Sequence, residues 1–308
     1  MATHSYLDYF GLTDDPFRIA PDPAYYYPSS EHAQALLSLD YTLTNRAGFC
    51  LLTGEPGTGK TTLLRIFINK WSERAEIALV LTPRLSPEEF LQAVLQDLDV
   101  IYPLSGNKND MLKEFRDFLL EHAGSGRRVA IVVDEAQELP QETLEELRLL
   151  SNLETDTDKL LQIILVGQPE LEERLSGTAL RQLNQRISVR AALSPLPPRA
   201  ISDYLSSRLI KAGAHGSIIF DDKARELLFN RSRGIPRLIN LIASRALMAA
   251  YLQGEQTVQL PQIQIAADEV LQTERQQPHN DKRRRQFWLA AAVCGILLAL
   301  AILLATRA

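Results

Sequence analysis

The 308-residue sequence predicts an α/β fold: a five-stranded parallel sheet covered by helices, then a small all-helical region and one apolar helix at the far end. Three observations carry this expectation. Short apolar runs alternate with helical patterns through the first two-thirds of the chain, as in a parallel sheet covered on both faces. The strand patterns cease after Ser194-Pro195-Leu196-Pro197-Pro198, a cluster that restricts the backbone and ends regular structure. The stretch from Phe287 to Ala305 is uncharged and apolar throughout.

The strand candidates are Phe49–Thr53, Ile77–Leu81, Val129–Val133, Ile163–Val166 and Ile187–Ala191. Helical periodicity lies between them at Thr61–Arg74, Pro87–Val100, Asp110–His122, Gln141–Leu153 and Glu170–Gln185. Beyond the prolines it continues at Arg199–Ala212, Asp221–Arg233, Pro236–Leu252 and Pro261–Thr273. These patterns divide the chain into an α/β domain at 1–194, a helical domain at 195–273, a polar and basic linker at 274–286 and an apolar helix at 287–305.

Between the first strand and the first long helix stands Gly54-Glu55-Pro56-Gly57-Thr58-Gly59-Lys60-Thr61, a full G-x-x-x-x-G-K-[ST] run, with Thr62 directly behind it. Glycines let the backbone turn so that successive N–H groups face phosphate oxygens, and the helix N-terminus adds its dipole. Lys60 would neutralise β- and γ-phosphate oxygens, and the Thr61 hydroxyl would ligate Mg²⁺. The apolar strand Val129–Val133 ends in Asp134-Glu135, two adjacent carboxylates. Asp134 would hold Mg²⁺ through its water shell, and Glu135 would polarise the attacking water. ATP and Mg²⁺ are the ligands this pattern requires.

Charge narrows the partners. Five of the 33 Lys/Arg residues and none of the 38 Asp/Glu lie in 282–308, which leaves 28 basic against 38 acidic groups in 1–281, a net charge of about −10. Such a surface is poorly suited to gripping a phosphate backbone, so nucleic acid is not an expected partner. The apolar run is about 28 Å long as a helix, close to the ~30 Å of bilayer hydrocarbon, and Lys282-Arg283-Arg284-Arg285 precedes it. The expectation is a single-pass tail anchor in the inner membrane with everything upstream cytoplasmic. Cys50 and Cys294 form no disulfide framework, no N-terminal leader pattern is seen, and the scattered histidines, His32 among them, have no zinc spacing.

A P-loop, a strand ending in Asp-Glu and a helical C-terminal part together resemble the AAA+ ATPases. Gln168, in Gly167-Gln168-Pro169-Glu170 after the fourth strand, stands where that superfamily places its sensor 1 residue, although Asn or Thr is more usual there. Gly234-Ile235-Pro236-Arg237 looks like the sensor 2 motif and would aim Arg237 at the γ-phosphate. Arg186, before the fifth strand, stands where an arginine finger is expected to reach a neighbouring subunit's nucleotide, with Arg181 as the alternative. More specifically, Tyr9–Tyr41, Asp134–Thr155, Lys159–Leu171, Leu180–Ile187 and Gly234–Asn240 are similar to the ATPases of the general secretion pathway protein A type and the MSHA pilus biogenesis type. The resemblance implies a homo-oligomeric ATPase acting on inner-membrane components of a secretion or pilus machine. Secretion ATPases of this type often carry a periplasmic peptidoglycan-binding region after the span. The sequence stops three residues past the apolar run, so the expectation leans to the pilus branch.

Two other classes stay open at this level: a DNA-directed AAA+ ATPase of transposition type, and a nucleotide-gated scaffold with little hydrolysis. The aromatic entry segment, Phe17 and Tyr25-Tyr26-Tyr27, either walls an adenine site or packs the N-terminus onto the sheet.

Overall fold

Five parallel strands make the sheet: β1 (Phe49–Gly54), β2 (Ala75–Val80), β3 (Arg128–Val133), β4 (Leu161–Gly167) and β5 (Ile187–Leu193), in the spatial order β2-β3-β4-β1-β5. The computed structural model describes residues 6–81, 84–103, 107–155, 158–214, 216 and 218–273. All residues of β1 and β4 are buried, as is β3 after Arg128, which is why these strands read as continuous apolar runs. At the edge, β5 alternates buried ends with exposed and half-buried positions.

Alternate residues of each strand feed two different cores. On one face Cys50, Leu52, Val132 and Ile164 pack beneath α2 (Ser30–Thr44) and α3 (Lys60–Trp71). On the other, Leu51, Ile131, Val133 and Ile163 pack beneath α4 (Pro87–Asp97), α5 (Lys108–Gly124), α6 (Gln141–Leu150), α7 (Pro169–Ser176) and α8 (Arg181–Arg186). Because β1 lies between β4 and β5, the helix leaving β1 must cross to β2 at the sheet's far edge. That crossing leaves the carboxyl ends of β1, β3 and β4 grouped at a switch point, where open α/β sheets bind ligands.

A third core joins the first and last parts of the described chain. Phe10, Phe17 and Tyr25 pack with Leu205 of α9 (Ile201–Lys211), Leu228 of α10 (Asp222–Ser232), Ile242 and Ala246 of α11 (Pro236–Gln253) and Ile263 of a helix over 260–273. Of the aromatic entry segment, Phe17, Tyr25 and Tyr27 therefore pack on the C-terminal helices, while Tyr26 packs on the sheet beside α2 and α3. A short parallel pair, β6 (Ile219–Phe220) with β7 (Thr257–Val258), closes this region.

Several boundaries differ from the sequence expectation. The helix expected over Glu170–Gln185 is two helices, because Gly177 is extended (φ −67, ψ 158) and ends α7. α4 stops at Asp97, short of Val100, where Asp99 turns left-handed (φ 53). α2, started by the Ser29 side chain accepting from the His32 N–H, has no counterpart among the expected helices.

The expected inner-membrane location is corrected. The linker at 274–286 and the apolar run at 287–305, on which the tail anchor was reasoned, lie outside the described residues. Among the described residues no helix is long and apolar enough to cross a membrane. The longest, α11, contains Arg237, Asn240 and Arg245, and its apolar face is already spent on the third core.

Candidate nucleotide site

The P-loop leaves β1 at Gly54 and enters α3 at Lys60, with Gly57 (φ +83) and Gly59 (φ +104) in left-handed conformations that only glycine adopts without strain. Space demands glycine as well. A Cβ on Gly57 would lie 2.7 Å from Cβ of Arg237, and one on Gly59 would lie 3.0 Å from Nε2 of His32. Lys60 is only 5% exposed. Its Nζ donates to the carbonyls of Gly54 (2.6 Å) and Glu55 (3.1 Å). Burial lowers its pKa, while Glu135, Asp134, Glu55 and Glu170 pull it back up. Its direct partners are neutral carbonyls, and a buried ammonium is stabilised by an anion brought into contact with it.

The two predicted metal ligands meet directly. The Thr61 hydroxyl donates to Asp134 Oδ2 at 2.8 Å, across 73 residues of sequence. A hydroxyl and a carboxylate converging at the end of the glycine-rich loop are the hard oxygen donors that Mg²⁺ takes, so the residues present fit that ion. Glu135 follows in a left-handed conformation (φ 52). Its Oε2 accepts from the side-chain amides of Gln168 (3.2 Å) and Gln137 (2.5 Å).

A cleft of about 340 Å³ opens over this loop. One wall is Pro56 to Thr62 with Glu135; the other is the entry segment with Arg18, Tyr25, Tyr26 and Tyr27; the roof is Tyr204, Arg208, Pro236, Arg237 and Asn240. The roof touches the loop, since the Arg237 N–H donates to the Gly57 carbonyl at 3.2 Å. Of the residues expected in the site, Pro56, Gly57, Thr58, Gly59, Lys60, Thr61, Thr62, Glu135 and Arg237 line the cleft. Asp134 and Gln168 act from behind it, through Thr61 and Glu135. Arg186 stands elsewhere, with its Nη1 donating to the Arg148 carbonyl (3.3 Å), Ser151 Oγ (2.8 Å) and Asn152 Oδ1 (2.5 Å) at the end of α6. Arg181 is exposed.

Sequence reasoning overlooked His32 and Arg208. The ring of His32 is buried, and its Nε2 donates to the Thr58 carbonyl at 3.0 Å while Nδ1 lies 2.8 Å from Ser29 Oγ. Burial lowers its pKa; the Thr58 bond and the Glu31 charge oppose this. Arg208, 7% exposed, holds the entry segment through the carbonyls of Pro16 (2.6 Å), Arg18 (3.3 Å) and Tyr25 (3.4 Å). No spacing in the sequence announces either residue, because each acts on a backbone carbonyl far away in the chain.

Comparison with known proteins agrees with this architecture. A family model described as an AAA domain matches residues 43–175. General secretion pathway protein A of Aeromonas hydrophila is 42% identical over 293 residues, 95% of this chain. The chain carries an AAA domain and is similar over nearly all of its length to general secretion pathway protein A. It spans about half of that relative, 52% of its length. Among solved structures, Cdc6p of Pyrobaculum aerophilum superimposes with a TM-score of 0.61 at 21% identity, covering 80% of this chain and 68% of that one. A Walker-type ATPase of Pyrococcus abyssi gives 0.61 at 18% identity, covering 88% of this chain and 80% of that one. At these identities the two structures establish the AAA+ fold and nothing more.

Proposed function

We propose that this AAA+ chain binds Mg·ATP in the cleft and hydrolyses it to drive assembly of a secretion or pilus machine. The observation that carries the reading is the pairing of Thr61 with Asp134 beside a buried Lys60, with Glu135 at the cleft. The loop amides and Lys60 would hold the β- and γ-phosphates; Thr61 directly and Asp134 through water would hold the ion, which would neutralise phosphate charge when bound. Glu135 takes the proton of a water whose oxygen attacks the γ-phosphorus, while the bond to the β,γ-bridging oxygen breaks and ADP keeps its electron pair.

Residues 195–273 act in this reading as a lid on the α/β domain at 1–194. Arg237 meets the γ-phosphate from the first turn of α11, whose backbone already reaches Gly57. Gln168 is the sensor beside Glu135. Arg186 serves a neighbouring copy's nucleotide in a homo-oligomer, with Arg181 the alternative finger; its position away from its own cleft accords with action in trans. Kinship with general secretion pathway protein A supports export or pilus components as the partners.

Substituting Glu135→Gln tests the chemistry. Turnover should fall by roughly 10²–10⁴-fold with nucleotide affinity retained, because a positioned general base is worth that much. Turnover equal to wild type would instead favour a nucleotide-gated scaffold. In cells, Lys60→Ala should abolish assembly of the machine, and normal assembly would count against the reading.

A further inference from the structure

Glu135 is held by two side-chain amides, and one of them belongs to a residue outside the roles assigned above. Two amides converge on one oxygen of its carboxylate, Oε2: Gln168 from the start of α7 and Gln137 from the turn at Ala136–Glu138. Gln137 also binds the other amide's backbone, since its Oε1 accepts the Gln168 N–H at 3.1 Å. The turn is itself clamped from α7. Arg174 donates through Nη1 to the Gln137 carbonyl and through Nη2 to the Leu139 carbonyl at 2.9 Å. The side chain of Gln137 lies so close to the end of β4 that a Cβ on Gly167 would come within 2.8 Å of its Oε1.

These contacts fix a carboxylate that stands on a left-handed, non-glycine residue (φ 52), a strained conformation that persists only where the surroundings over-determine it. With Oε2 filled by two amide donors, the second oxygen is the one left to accept a proton. We infer that Gln137 is a positioning residue: its amide, jointly with Gln168, orients the Glu135 carboxylate so that one oxygen is tied down and the other is presented to the attacking water. Gln137 does not line the cleft. It therefore acts on turnover through Glu135 and not on nucleotide affinity. The inference rests on the proposed hydrolysis and deepens it.

The test uses the full chain, with steady-state ATP hydrolysis beside titration of a non-hydrolysable ATP analogue. Gln137→Met keeps the length and removes both amide bonds. The expected result is a fall in kcat of about tenfold or more with the analogue's Kd changed by less than about twofold, the signature of an interaction made on the reaction path alone. In a Glu135→Gln background the same substitution should change residual turnover by less than about twofold, because the group it positions is gone. Gln137→Asn, which keeps an amide but draws it back from Glu135 by one carbon, should lower kcat in the same way, and this variant decides the matter if Gln137→Met does not fold. Unchanged kcat in Gln137→Met overturns the inference, as does an equal fall in the Glu135→Gln background or a loss of affinity matching the loss of turnover. Wild-type turnover with an unaffected Gln137→Met removes this inference alone; a wild type with no turnover above Lys60→Ala removes the proposed hydrolysis with it.

Discussion

The cleft has two walls built by opposite means. The P-loop wall is local: residues 54–62 follow one another, their glycines set the turn, and the strand and helix on either side hold both ends. The opposing wall, residues 16–27, has little regular structure beyond the turn Pro23–Tyr25 and is tied down from a distance. Arg208 and Lys211 of α9 hold the carbonyls of Pro16, Arg18, Tyr25 and Tyr26, and Arg65 of α3 holds that of Pro21. One wall is encoded by spacing and the other by long side chains reaching backbone oxygens. The second kind ties the cleft's width to the placement of the C-terminal helices, because α9 carries most of the tethers. Nucleotide held between the two walls would therefore bear on that placement.

The comparison breaks most visibly at Arg208. Arg208→Ala removes three bonds to carbonyls together with a guanidinium stacked 5.0 Å from the Tyr25 ring and 5.7 Å from the Tyr204 ring. We expect a loss of roughly 3 kcal/mol in stability, since orphaned buried acceptors cost about 1–3 kcal/mol each and only part of them can reach water. Nucleotide affinity should fall several-fold with it. Denaturant unfolding and analogue titration read both, and a stability within error of wild type would mean that the entry segment is held by its aromatic packing alone.

At His32 the two walls meet, and the prediction there is about pH. The folded-state pKa of His32 is lowered, so the unfolded chain binds the extra proton first. The stability that the neutral ring provides is complete above its ordinary pKa of about 6.5 and is lost as pH falls below it. His32→Gln, which keeps an amide donor for the Thr58 carbonyl but does not titrate, should flatten the fall in stability between pH 7 and 5 by at most about 1.4 kcal/mol per pH unit. Identical acid limbs in the two proteins would show that protonation is accommodated in the folded state.

The smallest effect is expected at Arg65, whose bond to the Pro21 carbonyl (2.9 Å) is exposed. Arg65→Ala should cost less than about 0.5 kcal/mol, as surface changes away from special features do. A larger loss measured by denaturant unfolding would place the main tether of the entry segment on the sheet side instead of on α9.

The same division explains what the sequence disclosed. Gly54 to Thr62 and Asp134-Glu135 are legible because their chemistry needs fixed residue types at fixed offsets from strands, and the five strands are legible because buried parallel strands are continuously apolar. Arg237 and Gln168 could be reached through resemblance, and both stand beside the loop or its acid. The break at Gly177 was hidden within a periodic stretch, because one extended residue interrupts a helix without disturbing the apolar spacing on either side. His32 and Arg208 have no spacing that marks their roles, since each is defined by a partner 26 or some 190 residues away, and Gln137, two residues from the acid it holds, has its second partner 31 residues away. An apolar run of membrane-spanning length pointed to an inner-membrane location, and no described helix bears that out.

Titration of the full chain with a fluorescent ATP analogue in the presence of Mg²⁺, wild type beside Lys60→Ala, addresses the cleft most directly. Saturable binding that weakens by about 100-fold in the variant is the predicted result, because removing one partner of a buried charge pair costs about 2–5 kcal/mol. Equal affinity in both proteins, or no binding by the wild type, would contradict it.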